Sequence, residues 1–190
     1  RGGGEYGEEW HKAGSHSNQQ NSINDLIDCT HYLINEKYSS PPKIGLYGNS
    51  NGGFIVSIAS LQEPHLFRSV VADRAPLDLV HFNKYPAGWA WVREFGNPLE
   101  SKDLANLYKI SPCENIRDDN VISTLLITSN TDQRVVPVHS YKYLELIRMA
   151  SKELSLLCVS KNTGHGSGRG RREFIQEKAI MLTFFYQTLR

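Results

Sequence analysis

The sequence predicts an α/β protein, with parallel strands and helices on both faces of the sheet. After residue 20, short apolar runs alternate with longer segments of helical periodicity, the pattern of strands joined by crossover helices. The apolar runs are continuous rather than alternating, as in Leu125-Leu126-Ile127, which suits strands covered on both sides. One run also passes into a helix through a glycine-rich junction, Gly48-Asn49-Ser50-Asn51-Gly52.

The elements follow in order. Residues 1–18 are rich in Gly, Ser and His and read as loop. Residues 21–38 place Ile23, Leu26, Ile27, Thr30, Leu33 and Ile34 on one broad helical face. Ser22 and Asp25 resemble a capping box at its start, and Ser39-Ser40-Pro41-Pro42 is expected to stop it, because proline lacks an amide donor. Lys43 to Tyr47 reads as a strand ending in Gly48, and residues 52–61 as a helix through Phe54, Ile55, Ile58, Ala59 and Leu61. Ser69-Val70-Val71-Ala72 reads as a second buried strand. Residues 76–120 hold two of the three Trp, Trp89 and Trp91, and resist assignment beyond a helix near 101–108. A third strand is expected over 121–128, an amphipathic helix over 139–149, a fourth strand over 154–159 and a closing helix over 174–189.

Composition sets limits. With 39% hydrophobic residues and 15 Gly in 190, the chain can bury a sizeable core. Lys+Arg 21 against Asp+Glu 20 leaves a net charge of +1, so no general electrostatic grip on nucleic acid or an anionic membrane is indicated. No apolar run approaches the roughly 18–20 residues that span a bilayer, and the mean hydropathy is −0.42. Cys29, Cys113 and Cys158 show neither CxxC nor metal-ligand spacing and read as reduced thiols of a cytosolic protein. The chain opens on Arg1-Gly2-Gly3-Gly4 with no signal peptide, which reads as the interior of a longer protein.

The junction at Ser50 matches G-x-S-x-G. Between a strand and a helix this is the nucleophile-elbow pattern, in which small neighbours tolerate a strained serine backbone. An ordinary glycine-rich turn is the plain alternative. A hydroxyl needs a base to act as a nucleophile near neutral pH. His165, in Gly164-His165-Gly166-Ser167-Gly168 directly after the last strand, is the best placed of the seven histidines. A carboxylate must then orient the imidazole. Asp132 follows the third strand; Asp73 and Asp78 are its rivals, and its plain alternatives are a turn former or an ion-pair partner of Arg134. The chain order Ser50, Asp132, His165 is that of α/β-hydrolases.

At these residues the chain resembles the C-terminal part of the catalytic domain of the prolyl oligopeptidase family, cytosolic serine peptidases. The likeness runs over nearly all 190 residues. It is carried by Arg1-Gly2-Gly3-Gly4-Glu5-Tyr6-Gly7-Glu8 with Trp10-His11-Lys12, by Ser50-Asn51-Gly52-Gly53, Lys84-Tyr85 and Ala90-Trp91, and by Tyr108-Lys109-Ile110-Ser111-Pro112. It continues in Asp132-Gln133-Arg134-Val135-Val136-Pro137-Val138-His139-Ser140 and Gly164-His165-Gly166. The resemblance implies an α/β-hydrolase fold represented by its last four strands, with the earlier strands and a β-propeller lying outside this chain. It implies Ser50 as nucleophile, His165 as base and Asp132 as orienting partner. It implies the Tyr6 hydroxyl and the Asn51 amide as oxyanion donors. Trp91, Phe95 and Val135 would form a proline pocket, and Arg134 would hold a substrate carbonyl.

The implied activity is serine-type cleavage of short oligopeptides after proline, by a cytoplasmic protein that is monomeric at full length. No metal or organic cofactor is expected, because a triad and oxyanion hole supply the chemistry. An esterase or thioesterase of the same type, or a non-catalytic fragment, are the alternatives. Four departures from the family pattern stand out: Asn49 before the nucleophile, expected to narrow the elbow; Phe95 for Tyr; Pro76 for Val; and the charged pair Asp73-Arg74 after a strand.

Overall fold

A computed structural model describes residues 1–161, 163–166 and 170–189. The strands are β1 (Gly45–Asn49), β2 (Ser69–Asp73), β3 (Ser123–Ser129) and β4 (Ser155–Ser160). The helices are α1 (Glu8–Lys12), α2 (Gln19–Asn35), α3 (Asn51–Gln62), α4 (Val92–Phe95), α5 (Ser101–Ile110), α6 (Val138–Ala150) and α7 (Arg171–Thr188). All pairings are parallel and the sheet order is β1-β2-β3-β4, so each crossover advances by one strand in the same direction. The expected alternation of strands and helices is therefore present, with ends displaced by at most three residues.

The continuous apolar runs face two layers. Ala72 and Leu126 pack with Leu61 of α3 and with Tyr143 and Ile147 of α6. Val71, Leu125 and Ile127 pack with Phe184 of α7 on the other face. β2 and β3 are buried along their whole length, whereas β1 and β4 are buried only in part. α3 is buried almost all round, through Phe54, Val56, Ile58, Ala59 and Leu61. Its Ser57 and Ser60 hydroxyls donate to the Gly53 and Ser57 carbonyls at 2.7 and 2.8 Å, so neither serine is buried unsatisfied. α2 lays Ile23, Ile27 and Thr30 against this layer, as its periodicity predicts, but Leu33 stays exposed.

Three local expectations need correction. Residues 1–18 are not all loop: they form α1 and a 3₁₀ turn over His16–Asn18. Ser22 and Asp25 do not cap α2, which already begins at Gln19. Ser22 instead donates to the Arg1 and Gly14 carbonyls, and Asp25 accepts from Arg1. The prolines do not stop α2 either. Lys37 adopts φ 62°, Tyr38 N–H donates to Leu33 O at 2.9 Å and Lys37 N–H to Ile34 O at 3.0 Å, a Schellman closure two residues ahead of Ser39. The stretch 76–120 resolves into three short 3₁₀ turns with α4 and α5, and α5 is the helix expected near 101–108.

Candidate active site

β1 passes into α3 through Ser50, whose backbone sits at φ 55°, ψ −124°. A non-glycine residue there costs on the order of 1–3 kcal/mol and persists only when its surroundings fix it. Ser50 N–H donates to Asp73 O at 2.8 Å, and Ser50 O accepts from Gly53 N–H at 2.9 Å. The turn is tight enough to dictate its neighbours. A Cβ on Gly48 would stand 2.1 Å from the Gly52 carbonyl oxygen, and one on Gly53 would stand 2.6 Å from Ala75 Cβ. Asn49 does not narrow this elbow. Its side chain is on the exposed side and donates to Asp73 O at 3.1 Å, pinning β1 to β2.

Asp132 follows β3 and is 3% exposed. Its Oδ1 accepts from the N–H groups of Arg134 and Val135, both at 2.9 Å, which fixes the carboxylate by its own loop. That loop hydrogen bonding replaces the ion pair with Arg134, whose side chain is exposed. Asp132 Oδ2 lies 2.7 Å from His165 Nδ1, and His165 Nε2 lies 2.9 Å from Ser50 Oγ. A carboxylate only accepts, so Nδ1 carries the ring proton and Nε2 is left to accept from the Ser50 hydroxyl. His165 is delivered by a turn in which Gly164 takes φ 54° and donates to Thr131 Oγ1 at 3.3 Å. Ser167 and Gly168 of that turn lie outside the described residues. Three residues spread over more than 100 positions of sequence thus form one hydrogen-bonded line.

Beside this line opens a cavity of about 360 Å³, lined by Ser50, Asn51, Trp91, Phe95, Arg134 and Val135 among others. Trp91 is tilted against Phe82 at 5.8 Å and stands edge-on to Phe95 at 6.3 Å. Phe95 and Val135 are 5% and 3% exposed, so they form the cavity wall and are also core residues. Pro76 lines the same space. Tyr6 is not among the lining residues. Its ring is 77% exposed and stands edge-on to Trp10 at 5.2 Å.

The chain matches the model of the prolyl oligopeptidase family, a peptidase family, over residues 1–190. It belongs to the prolyl oligopeptidase family. It is 40% identical over 195 residues to a prolyl endopeptidase of Dictyostelium discoideum, covering 100% of this chain and 26% of that protein. A solved structure from a study of two prolyl endopeptidases superposes with a TM-score of 0.96 at 32% identity, covering 100% of this chain and 28% of that one. Oligopeptidase B of Leishmania major superposes with a TM-score of 0.94 at 26% identity, covering 100% and 27% respectively. The fold is thus the α/β-hydrolase fold of prolyl oligopeptidases, present in part. The chain spans about a quarter of the length of the relatives it matches.

Beyond the residues anticipated from sequence, this family member carries two buried polar groups near the site. The first centres on Arg74, which has no exposed surface and sits at φ 51°. Its guanidinium binds the carboxylates of Asp73 and Glu177. Burial works against its charge, but those two carboxylates outweigh burial and hold its pKa above the ordinary value. The charges at Asp73-Arg74 are visible in the sequence; Glu177, 103 residues away from Arg74, carries no signal there.

The second group lies behind Trp91. His139 is fully buried, tilted against Trp91 at 5.8 Å and edge-on to Tyr85 at 4.8 Å. Its Nδ1 accepts from Asp78 N–H at 3.2 Å, so Nε2 carries the proton, and Nε2 finds no hydrogen-bond partner among the described residues. Burial lowers its pKa to about 4. Asp78, His81 and Glu114 could group around a cation, but Lys142 Nζ already stands 2.7 Å from Asp78 and 3.9 Å from Glu114. Burial would raise the Asp78 pKa, yet the bonds from Lys142 and His81 keep it below the ordinary range. Asp73 and Asp78, the rivals of Asp132, are thus engaged away from His165.

Proposed function

We propose that this chain carries the catalytic centre of a serine peptidase that cleaves short peptides on the carboxyl side of proline through an acyl-enzyme. The observation that carries the reading is the line Ser50 Oγ–His165–Asp132, at 2.9 and 2.7 Å, built on an elbow with a strained serine. Ser50 Oγ attacks the scissile carbonyl while His165 Nε2 takes its proton. Asp132 holds the imidazole and balances the imidazolium charge that forms. His165 then returns the proton to the leaving amine, and water repeats the cycle on the ester.

The Asn51 N–H opens α3 at the elbow and is one donor to the tetrahedral oxyanion. The second donor, the Tyr6 hydroxyl, rests on the family resemblance. Trp91, Phe95 and Val135 offer a flat apolar wall to a pyrrolidine ring, and the exposed Arg134 at the cavity mouth suits a peptide carbonyl. Fold similarity alone does not choose the branch, since oligopeptidase B superposes nearly as well. The aromatic and apolar lining favours proline over a basic side chain. An oligopeptide substrate, action as a monomer and a cytoplasmic setting complete the proposal.

The test is made on the full-length polypeptide containing this chain. Ser50→Ala is expected to abolish labelling by a fluorophosphonate and turnover of a fluorogenic Gly-Pro amide. Labelling that persists in Ser50→Ala overturns the assignment. Turnover of Arg or thioester reporters in preference to the Gly-Pro amide would overturn the proline specificity alone.

A further inference from the structure

Arg74 is a buried charge that the proposed chemistry does not use. A guanidinium has five N–H donors in a fixed fork, and every one of them finds an acceptor. Nε donates to the Gly164 carbonyl at 2.9 Å, and Nη2 to Thr163 Oγ1 at 2.9 Å and to Glu177 Oε1 at 2.7 Å. Nη1 donates to Asp73 Oδ1 at 2.5 Å and to Glu177 Oε2 at 3.2 Å. The fork therefore has two sides. One is anchored to carboxylates on β2 and α7; the other grips the two residues that immediately precede His165.

The anchoring is itself braced. Tyr47 OH on β1 donates to Asp73 Oδ2 at 3.3 Å, and Ser160 Oγ at the end of β4 donates to Glu177 Oε1. The Arg74 N–H donates to Ile127 O on β3 at 2.7 Å. A residue held at φ 51° by all four strands costs backbone strain, and such strain persists where the surroundings over-determine the conformation. Gly164 also takes a positive φ, a conformation that glycine adopts without the steric cost a side chain would add.

We propose that Arg74 is a positioning residue: anchored by Asp73 and Glu177, it clamps the Thr163–Gly164 turn and so sets where the His165 imidazole stands between Asp132 and Ser50. The clamp rests on the reading of Ser50, His165 and Asp132 given above. A lysine at this position keeps the positive charge but has a single nitrogen. It cannot hold the Gly164 carbonyl and both carboxylates in one geometry.

The experiment compares Arg74→Lys and Thr163→Val with the wild type in the full-length polypeptide. Active sites are counted by the fluorophosphonate burst, and kcat is expressed per counted site. Arg74→Lys is expected to lower kcat per site about tenfold or more, with KM within about twofold. Thr163→Val, which removes one bond of the clamp and leaves both carboxylate anchors intact, is expected to lower kcat per site about twofold to fourfold. A purely structural role would reduce the number of active sites and leave kcat per site unchanged; that result in either variant overturns the clamp. If Arg74→Lys does not fold, Thr163→Val decides. Retained turnover in Ser50→Ala overturns the triad and the clamp together, whereas loss in Ser50→Ala with unchanged kcat in the clamp variants overturns the clamp alone.

Discussion

Single residues at this site are defined by what their polar atoms are allowed to do. His139 shows this away from the reacting atoms. It is fully buried, accepts one backbone N–H and lies against Trp91 and Tyr85, so its neutral form is the one the fold accommodates. Its folded pKa of about 4 lies below the ordinary 6.5. The unfolded chain therefore binds a proton that the folded one refuses between those values. The stability this group contributes is fully present above about pH 6.5 and is lost as pH falls towards 4. At roughly 1.4 kcal/mol per unit, the loss is about 3 kcal/mol at most. His139→Gln in the full-length polypeptide should lower stability at pH 7, yet flatten the fall between pH 6.5 and 4.5 in urea unfolding. An equally steep fall in the variant would assign it to other groups.

At the scale of elements, the junction between β1 and α3 decides whether there is a site. The helix can begin one residue after Ser50 only because Gly48 and Gly53 let backbones meet. Gly48→Ala places a methyl group 2.1 Å from a carbonyl oxygen that belongs to the helix backbone and cannot turn aside. The expected cost is on the order of 2 kcal/mol or more, with loss of fluorophosphonate labelling, measured by thermal melting and by labelling of the folded fraction. This junction was legible in sequence because elbows demand a local pattern, glycines around a serine after an apolar run. The boundaries of α2 were less legible. Ser22 looked like a cap and instead ties the N-terminal segment to the helix, while Lys37 closes the helix in a conformation that lysine rarely adopts. Within 76–120 only α5 was legible, because the short 3₁₀ turns have no periodicity to read.

At the scale of the whole molecule, β1 pairs only with β2 among the described strands, so its other edge is open. An unpaired strand edge is a template for association with other chains. The relatives are about four times longer than this chain. The 190-residue chain expressed by itself is expected to aggregate and to show no turnover, while a longer polypeptide containing it stays soluble. Sedimentation and a Gly-Pro amide assay check this; a soluble, monomeric, fully active 190-residue chain would refute it.

The sequence by itself determined the α/β class, the alternation of strands and helices, the elbow, and the order Ser50, Asp132, His165. These are local patterns, or patterns along the chain, and hydrophobic periodicity and steric demand write them into neighbouring residues. Only the tertiary structure decided that Phe95 and Val135 are wall and core at once, that the exposed Tyr6 ring stands edge-on to Trp10, and that Arg74 grips the turn before His165. The physical reason is that a buried charge is tolerable only with partners, and those of Arg74 come from residues 73, 163, 164 and 177, which meet only when the sheet is assembled.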